Sequence, residues 1–191
     1  MARRGTPAAC RYAGLSLIEL LVAVSVLAML AATVVPMVGM VSHPTQTNEA
    51  AERVGAALRF AREEALRTAT PHGVSFAPGS ASDLIQVYRL DTAASPPTPQ
   101  YTVRNPLSRQ LYVEALGAGS PFPDVRLETQ PVVTANGKAA ALSFTADGAP
   151  AIVQGAALLR LAGTGARIRV VAKAHSRDVL AAAETGRITI R

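Results

Sequence analysis

Tryptophan is absent from this 191-residue chain, and aromatic residues of all kinds make up only 4%. So few flat side chains leave little from which to build a base-stacking platform, which argues against nucleic-acid binding by stacking. Cysteine occurs once, as Cys10 near the start. One thiol supports neither an intrachain disulfide framework nor a Cys-based metal site. The three histidines, His43, His72 and His175, stand apart without metal-ligand spacing. The chain also lacks G-x-S-x-G, a P-loop and a dinucleotide fingerprint. Gly163-Thr164-Gly165 reads as a tight turn. No catalytic residue, cofactor or metal is expected, and the chain is not read as an enzyme.

Basic residues are unevenly placed. The net charge is +6, but Arg3, Arg4 and Arg11 precede residue 15, and the remainder carries 16 basic against 13 acidic side chains. That residual excess of +3 is too small to imply a polyanionic partner by itself. Hydrophobic residues at 49% and charged residues at 17% argue for a folded chain rather than a disordered one. The length allows one ordinary domain plus an extension.

The extension is the apolar run Leu15–Val35, 21 residues whose only polar members are Ser16, Glu19, Ser25 and Thr33. As a helix rising about 1.5 Å per residue it reaches roughly 30 Å, the thickness of a bilayer core. The arginines before it and the absence of any basic residue until Arg53 orient the N-terminus to the cytoplasm and all that follows to the outside. A cleaved secretory signal, a plain signal anchor and a buried core helix are the competing readings. The apolar run is long for a signal-peptide core. A plain anchor leaves Glu19 unexplained, since an unpartnered acid is unfavourable in lipid. The acid makes sense if the chain is cut between Gly14 and Leu15. The new α-amine then lies four residues before Glu19, about one helical turn away. It is able to neutralise the carboxylate within one chain or between chains offset along a filament.

The stretch "G-LSLIELLVAVSVLAMLAATVVP" closely resembles the class III signal of type IV pilins and pseudopilins. The resemblance implies a prepilin peptidase that cuts after Gly14 and methylates Leu15, and a role for Glu19 in setting subunit register. Leu15 replaces the phenylalanine common at that position, and Pro36, twenty-second after the cut, matches a proline often found in pilin helices.

Beyond Pro36, Gly39 and His43-Pro44 are expected to bend or interrupt a helix. Thr47 or Asn48 then caps a second helical stretch with Glu49 and Glu52 in its first turn. Val54, Leu58, Ala61 and Ala65 form one apolar face, Glu63 and Arg67 are placed to pair at i, i+4, and the helix stops before Pro71. From His72 the pattern turns to short strands: "GVSF", "DLIQVYRL", "RQLYVEAL", "VRLET", "ALSFTADG", "ALLRLAG", "RIRVVAKA" and "RITIR". Asp147-Gly148 marks a hairpin, and "TAASPPTPQ" and "GAGSPFPD" read as loops. The fold class is α+β: a long N-terminal transmembrane and spine helix, then a compact antiparallel β-sandwich. The expected divisions are a cleaved leader at 1–14, a transmembrane helix at 15–36, a periplasmic helical continuation at 37–70 and a periplasmic β-domain at 71–191.

Two further passages resemble the GspH/FimT pseudopilins. "LRFAREEALRTATPHGVSFAP" is similar to their helix-to-first-strand segment, and "LSFTADG" with the distant "TGRITIR" is similar to their closing strands; residues 80 to 140 carry little signal. The resemblance implies a minor pseudopilin of a type II secretion system, anchored as a single-pass protein in the bacterial inner membrane with its C-terminal domain in the periplasm. Its partners would be the prepilin peptidase, other major and minor pseudopilins, and inner-membrane lipid. A second version is a FimT-like minor type IV pilin acting in pilus assembly or DNA uptake. Some FimT-type pilins bind DNA through a C-terminal Gly-Arg-x-Arg, and here the matching stretch is Gly186-Arg187-Ile188-Thr189, with Arg191 following. If 187–191 is a strand, Arg187, Thr189 and Arg191 share a face while Ile188 and Ile190 point inward. Arg167, Arg169 and Lys173 would add phosphate contacts. Because Thr189 stands where the second arginine would be, nucleic acid is not the expected partner. A solvated basic strand edge that deters aggregation is the favoured reading.

Overall fold

Small residues at helical spacing shape a long helix. The computed structural model describes residues 16–135 and 137–191, with backbone alone for residues 31–42 and 129. Helix α1 spans Leu17–Thr68. The chain divides into two compact units, Met1–Met40 and Val41–Arg191.

In the first unit the described side chains of residues 16–30 are all exposed, leucines, valines and Met29 among them. Ser25 turns its hydroxyl back to the Val22 carbonyl at 2.8 Å, so it presents no free donor. Among the described residues no helix is long and apolar enough to cross a membrane. The Leu15–Val35 run extends past the described side chains at both ends.

In the second unit the predicted apolar face is realised and widened. Ala50, Ala51, Val54, Ala57, Leu58, Ala61 and Ala65 are all fully buried. Their small side chains let the helix backbone approach the strands closely. At Gly55 a β-carbon would stand 3.1 Å from the Ile190 side chain. The expected interruption at His43-Pro44 does not occur, and neither does a cap at Thr47 or Asn48. Thr47 lies inside α1 and donates its hydroxyl to the His43 carbonyl one turn back, at 2.7 Å. Asn48 accepts a hydrogen bond from Arg177 at 2.5 Å. Arg67 pairs with Glu64 rather than Glu63, with bonds of 2.9 and 2.5 Å, because three residues of helix bring that carboxylate under the guanidinium. The helix ends before Pro71 as expected, with Ala69 at a φ of 50° just beyond it.

Among the described residues, twelve strands follow in two antiparallel sheets. The seven-stranded sheet holds β1 (His72–Ala77), β2 (Ser82–Asp91), β3 (Thr98–Gln100), β4 (Val113–Gly117), β7 (Ala141–Phe144), β8 (Pro150–Gln154) and β9 (Ala157–Arg160). Its order is β3-β2-β1-β7-β8-β9, and β4 also pairs with β2. The five-stranded sheet holds β5 (Arg126–Thr134), β6 (Gly137–Ala139), β10 (Ala166–Ala172), β11 (His175–Ala181) and β12 (Ile188–Ile190), in the order β12-β11-β10-β5-β6. Both sheets and the helix contribute to one hydrophobic core, including Val54, Leu58, Phe76, Ile85, Phe144, Ile168 and Val179.

Asp83 ties the sheets together. This β2 carboxylate is fully buried and accepts from the Leu127 amide at 2.6 Å, the Gly79 amide at 3.1 Å and Arg126 at 3.0 and 3.2 Å. Arg126 also donates to the carbonyls of Gly79, Ser80 and Ala81, closing the β1–β2 loop against β5. A second polar contact is the Tyr88 hydroxyl with the Ser143 hydroxyl at 2.7 Å. Gly73, paired with Tyr88 across β1 and β2, leaves room for that ring, since a β-carbon there would stand 2.6 Å from it. Burial pushes the Tyr88 phenol up to about 12.

The Asp147-Gly148 hairpin joins β7 to β8, and Gly163 and Gly165 turn the chain into β10 with φ values of 67° and 82°. Strands β3, β6, β8 and β11 fall outside the predicted segments. β3 lies within the stretch expected as the loop "TAASPPTPQ", and β4 occupies only the end of the predicted "RQLYVEAL".

Candidate functional site

The predicted site residues fall at the two ends of the chain. Gly14 and Leu15, the expected cleavage and methylation positions, lie outside the described residues. Helix α1 begins at Leu17, with the Leu20 amide bonded to the Ser16 carbonyl at 3.1 Å. Glu19 stands in the first turn of α1, where a negative charge complements the helix dipole. Its side chain is exposed, flanked by the exposed Leu17, Ile18, Leu20 and Leu21, and it has no ion pair or hydrogen bond among the described residues.

At the other end, β12 is the outermost strand of the five-stranded sheet. Ile188 and Ile190 pack against the core, and Arg187 and Arg191 lie exposed just outside the strand's two ends. Arg191 exchanges backbone hydrogen bonds with Asp178, both at 2.9 Å. Asp178 already holds Arg169 at 2.8 and 3.2 Å and lies 3.9 Å from Arg167. The Arg169 hydrogen bond keeps the Asp178 carboxyl below its ordinary range. The Lys173 ammonium meets His43 Nε2 at 2.9 Å, and the other ring nitrogen faces Asp124 at 3.4 Å. Of the five basic residues considered for phosphate contact, Arg167 and Arg169 pair with Asp178 and Lys173 meets His43, while Arg187 and Arg191 have no ion pair or side-chain hydrogen bond among the described residues. The Asp178 contacts follow from the β10–β11 pairing, and the His43–Lys173 contact joins residues 130 positions apart that no local motif announces. Among the described residues no group of three His, Cys, Asp or Glu side chains is placed to hold a metal.

An N-terminal helix carrying an exposed apolar stretch, followed by an antiparallel β-domain packed on the helix's alanine-rich continuation, is a pilin-like α+β architecture. The family model described as type II transport protein GspH matches residues 50–183, and that of the prokaryotic N-terminal methylation motif matches residues 10–35. The chain belongs to the GspH family, within the type IV pilin-like proteins that include FimT. The match runs through residues 80–140, where little resemblance is evident by eye, and it stops short of Arg187. No curated protein and no solved structure matches the chain. The methylation motif is that of a prepilin-type, membrane-anchored protein, and the family is a structural one.

Proposed function

We propose that this protein is a minor pseudopilin, a structural subunit near the tip of the short periplasmic filament of a type II secretion system. The precursor inserts in the inner membrane with its N-terminus in the cytoplasm and its C-terminal domain in the periplasm. The prepilin peptidase cuts between Gly14 and Leu15 and methylates Leu15. The Leu15–Val35 helix then packs among sister helices, and Glu19 meets a neighbour's N-terminal amine and fixes axial register. The β-domain contacts other pseudopilins, and the protein's work is assembly rather than catalysis.

The observation that carries this reading is the methylation motif over residues 10–35 preceding a GspH domain over 50–183, with Glu19 unpaired between exposed apolar neighbours. Charge complementarity explains the acid: a carboxylate in lipid is unfavourable alone and favourable beside a cation. Replacing Glu19 by Ala is expected to leave membrane insertion intact and to abolish copurification with sister pseudopilins. Unchanged copurification would remove the register role.

A FimT-like minor pilin acting in pilus assembly or DNA uptake is the second reading, favoured by the exposed, unpaired Arg187 and Arg191. Asp178 holding Arg169 and the Thr189 substitution weigh against a strong phosphate track.

A further inference from the structure

A cavity of about 530 Å³ opens where the C-terminal end of α1 meets β1 and β2, lined by Glu64, Thr68, Thr70, His72, Arg89 and Arg104 among others. Its hydrogen-bonding polarity follows from the bonds already made. Thr68 donates its only hydroxyl proton to the Glu64 carbonyl at 2.7 Å, so at the 2.7 Å contact between the hydroxyls Thr70 is the donor and keeps only lone pairs. His72, 3% exposed, bonds through Nδ1 to the Thr70 carbonyl at 2.9 Å. A carbonyl only accepts, so Nδ1 carries a proton, and in the neutral ring Nε2 then offers a lone pair. Nε2 has no partner among the described residues, and it is not among the fully enclosed polar atoms. In a ring so deeply buried, its access is through the cavity that His72 lines.

The charge is positive. The Glu64 carboxylate is already held by Arg67, at 2.9 and 2.5 Å. Arg89, exposed on β2, has neither ion pair nor hydrogen bond among the described residues. Arg104 spends one Nη1 bond, 2.9 Å, on the Arg109 carbonyl, which steadies its guanidinium while leaving other N–H groups free. The cavity therefore combines two cations with acceptors on a buried wall. A matching ligand carries a hydrogen-bond donor beside a negative charge. The C-terminal end of a polypeptide has that chemistry, with a carboxylate for the arginines and amide N–H groups for His72 and Thr70. The volume is also in the range of sites that hold molecules larger than a lone oxyanion.

We infer that this cavity binds the C-terminal carboxylate of a partner polypeptide, a contact that does not depend on which secretion or pilus system the subunit serves. The test uses the full chain in detergent with ¹⁵N-labelled histidine, whose three side chains are assigned through His43→Gln and His175→Gln. Acetyl-dialanine with a free carboxylate, its C-terminal amide and inorganic phosphate are titrated in turn. The peptide acid is expected to shift the His72 ring signal saturably, at least tenfold more tightly than the amide or phosphate. Arg89→Ala and Arg104→Ala, both at exposed positions, are each expected to weaken it at least fivefold. Equal binding of the amide, equal binding of phosphate, absence of a shift, or wild-type titration by both arginine variants would each overturn the inference.

Discussion

Asp83 lies wholly out of solvent, and its partners come from the β1–β2 loop and from β5. A buried charge so placed is stabilising only while its partners remain, and breaking such a pair costs about 3–5 kcal/mol. Arg126→Ala, which strands the buried carboxylate, is therefore expected to lower the unfolding free energy of the β-domain by that amount in a denaturant titration; a loss below about 1 kcal/mol would show that the two sheets do not depend on this link. Tyr88 gives a prediction with a sign. Its folded-state pKa of about 12 lies above the ordinary phenol value near 10. The folded state thus holds a proton that the unfolded chain has released. The contribution is complete below pH 10 and is lost as pH rises towards 12, roughly 2–3 kcal/mol in all. Tyr88→Phe is expected to cost stability at pH 8, because Ser143 loses its buried partner. The variant's deficit should narrow between pH 10 and 12. A constant deficit across that range would contradict the burial assigned to this hydroxyl. Neither residue is legible in the sequence: Asp83 and Arg126 are 43 positions apart, Tyr88 and Ser143 are 55 apart, and no local pattern links either pair.

At the scale of elements, short-range chemistry was readable and long-range packing was not. The helix face at Val54, Leu58, Ala61 and Ala65 follows from spacing alone. So do its stop before Pro71 and the Asp147-Gly148 hairpin. The helix passes unbroken through Pro44 because tertiary packing from Ala50 onward outweighs local propensity. Proline still removes an amide that would bond the Met40 carbonyl. Pro44→Ala is accordingly expected to stabilise the helix, by up to about 3 kcal/mol, measured as a rise in melting temperature. A fall would mean that the ring's own packing matters more than the missing bond. Strand β11 escaped notice because four consecutive polar residues, His175 to Asp178, conceal its alternation. Strands β3 and β6, three residues each, are too short for any period to register. The inward isoleucines were legible from alternation, but the strand expected over 187–191 spans only Ile188–Ile190, so Arg187 and Arg191 flank it and do not share its face with Thr189. The neutralisation of Arg169 by Asp178 was not legible, since it depends on the β10–β11 register.

For the whole molecule, two sequence-local signals carry the reading: a glycine, an acid and an apolar run at one end, and a GspH domain after it. The first is legible because peptidase recognition and helix packing act on contiguous residues. The cavity at His72 was invisible beforehand because its walls come from α1, β1, β2 and the loop before β4. The central claim is that this subunit serves protein secretion. The most direct test is a clean deletion in the native host, complemented by the wild-type gene and scored in parallel for exoprotein secretion and natural transformation. The account predicts that secreted proteins are lost or retained in the cells while DNA uptake is unchanged. Normal secretion with lost transformation would contradict it, and would make Arg187 and Arg191 the next residues to replace.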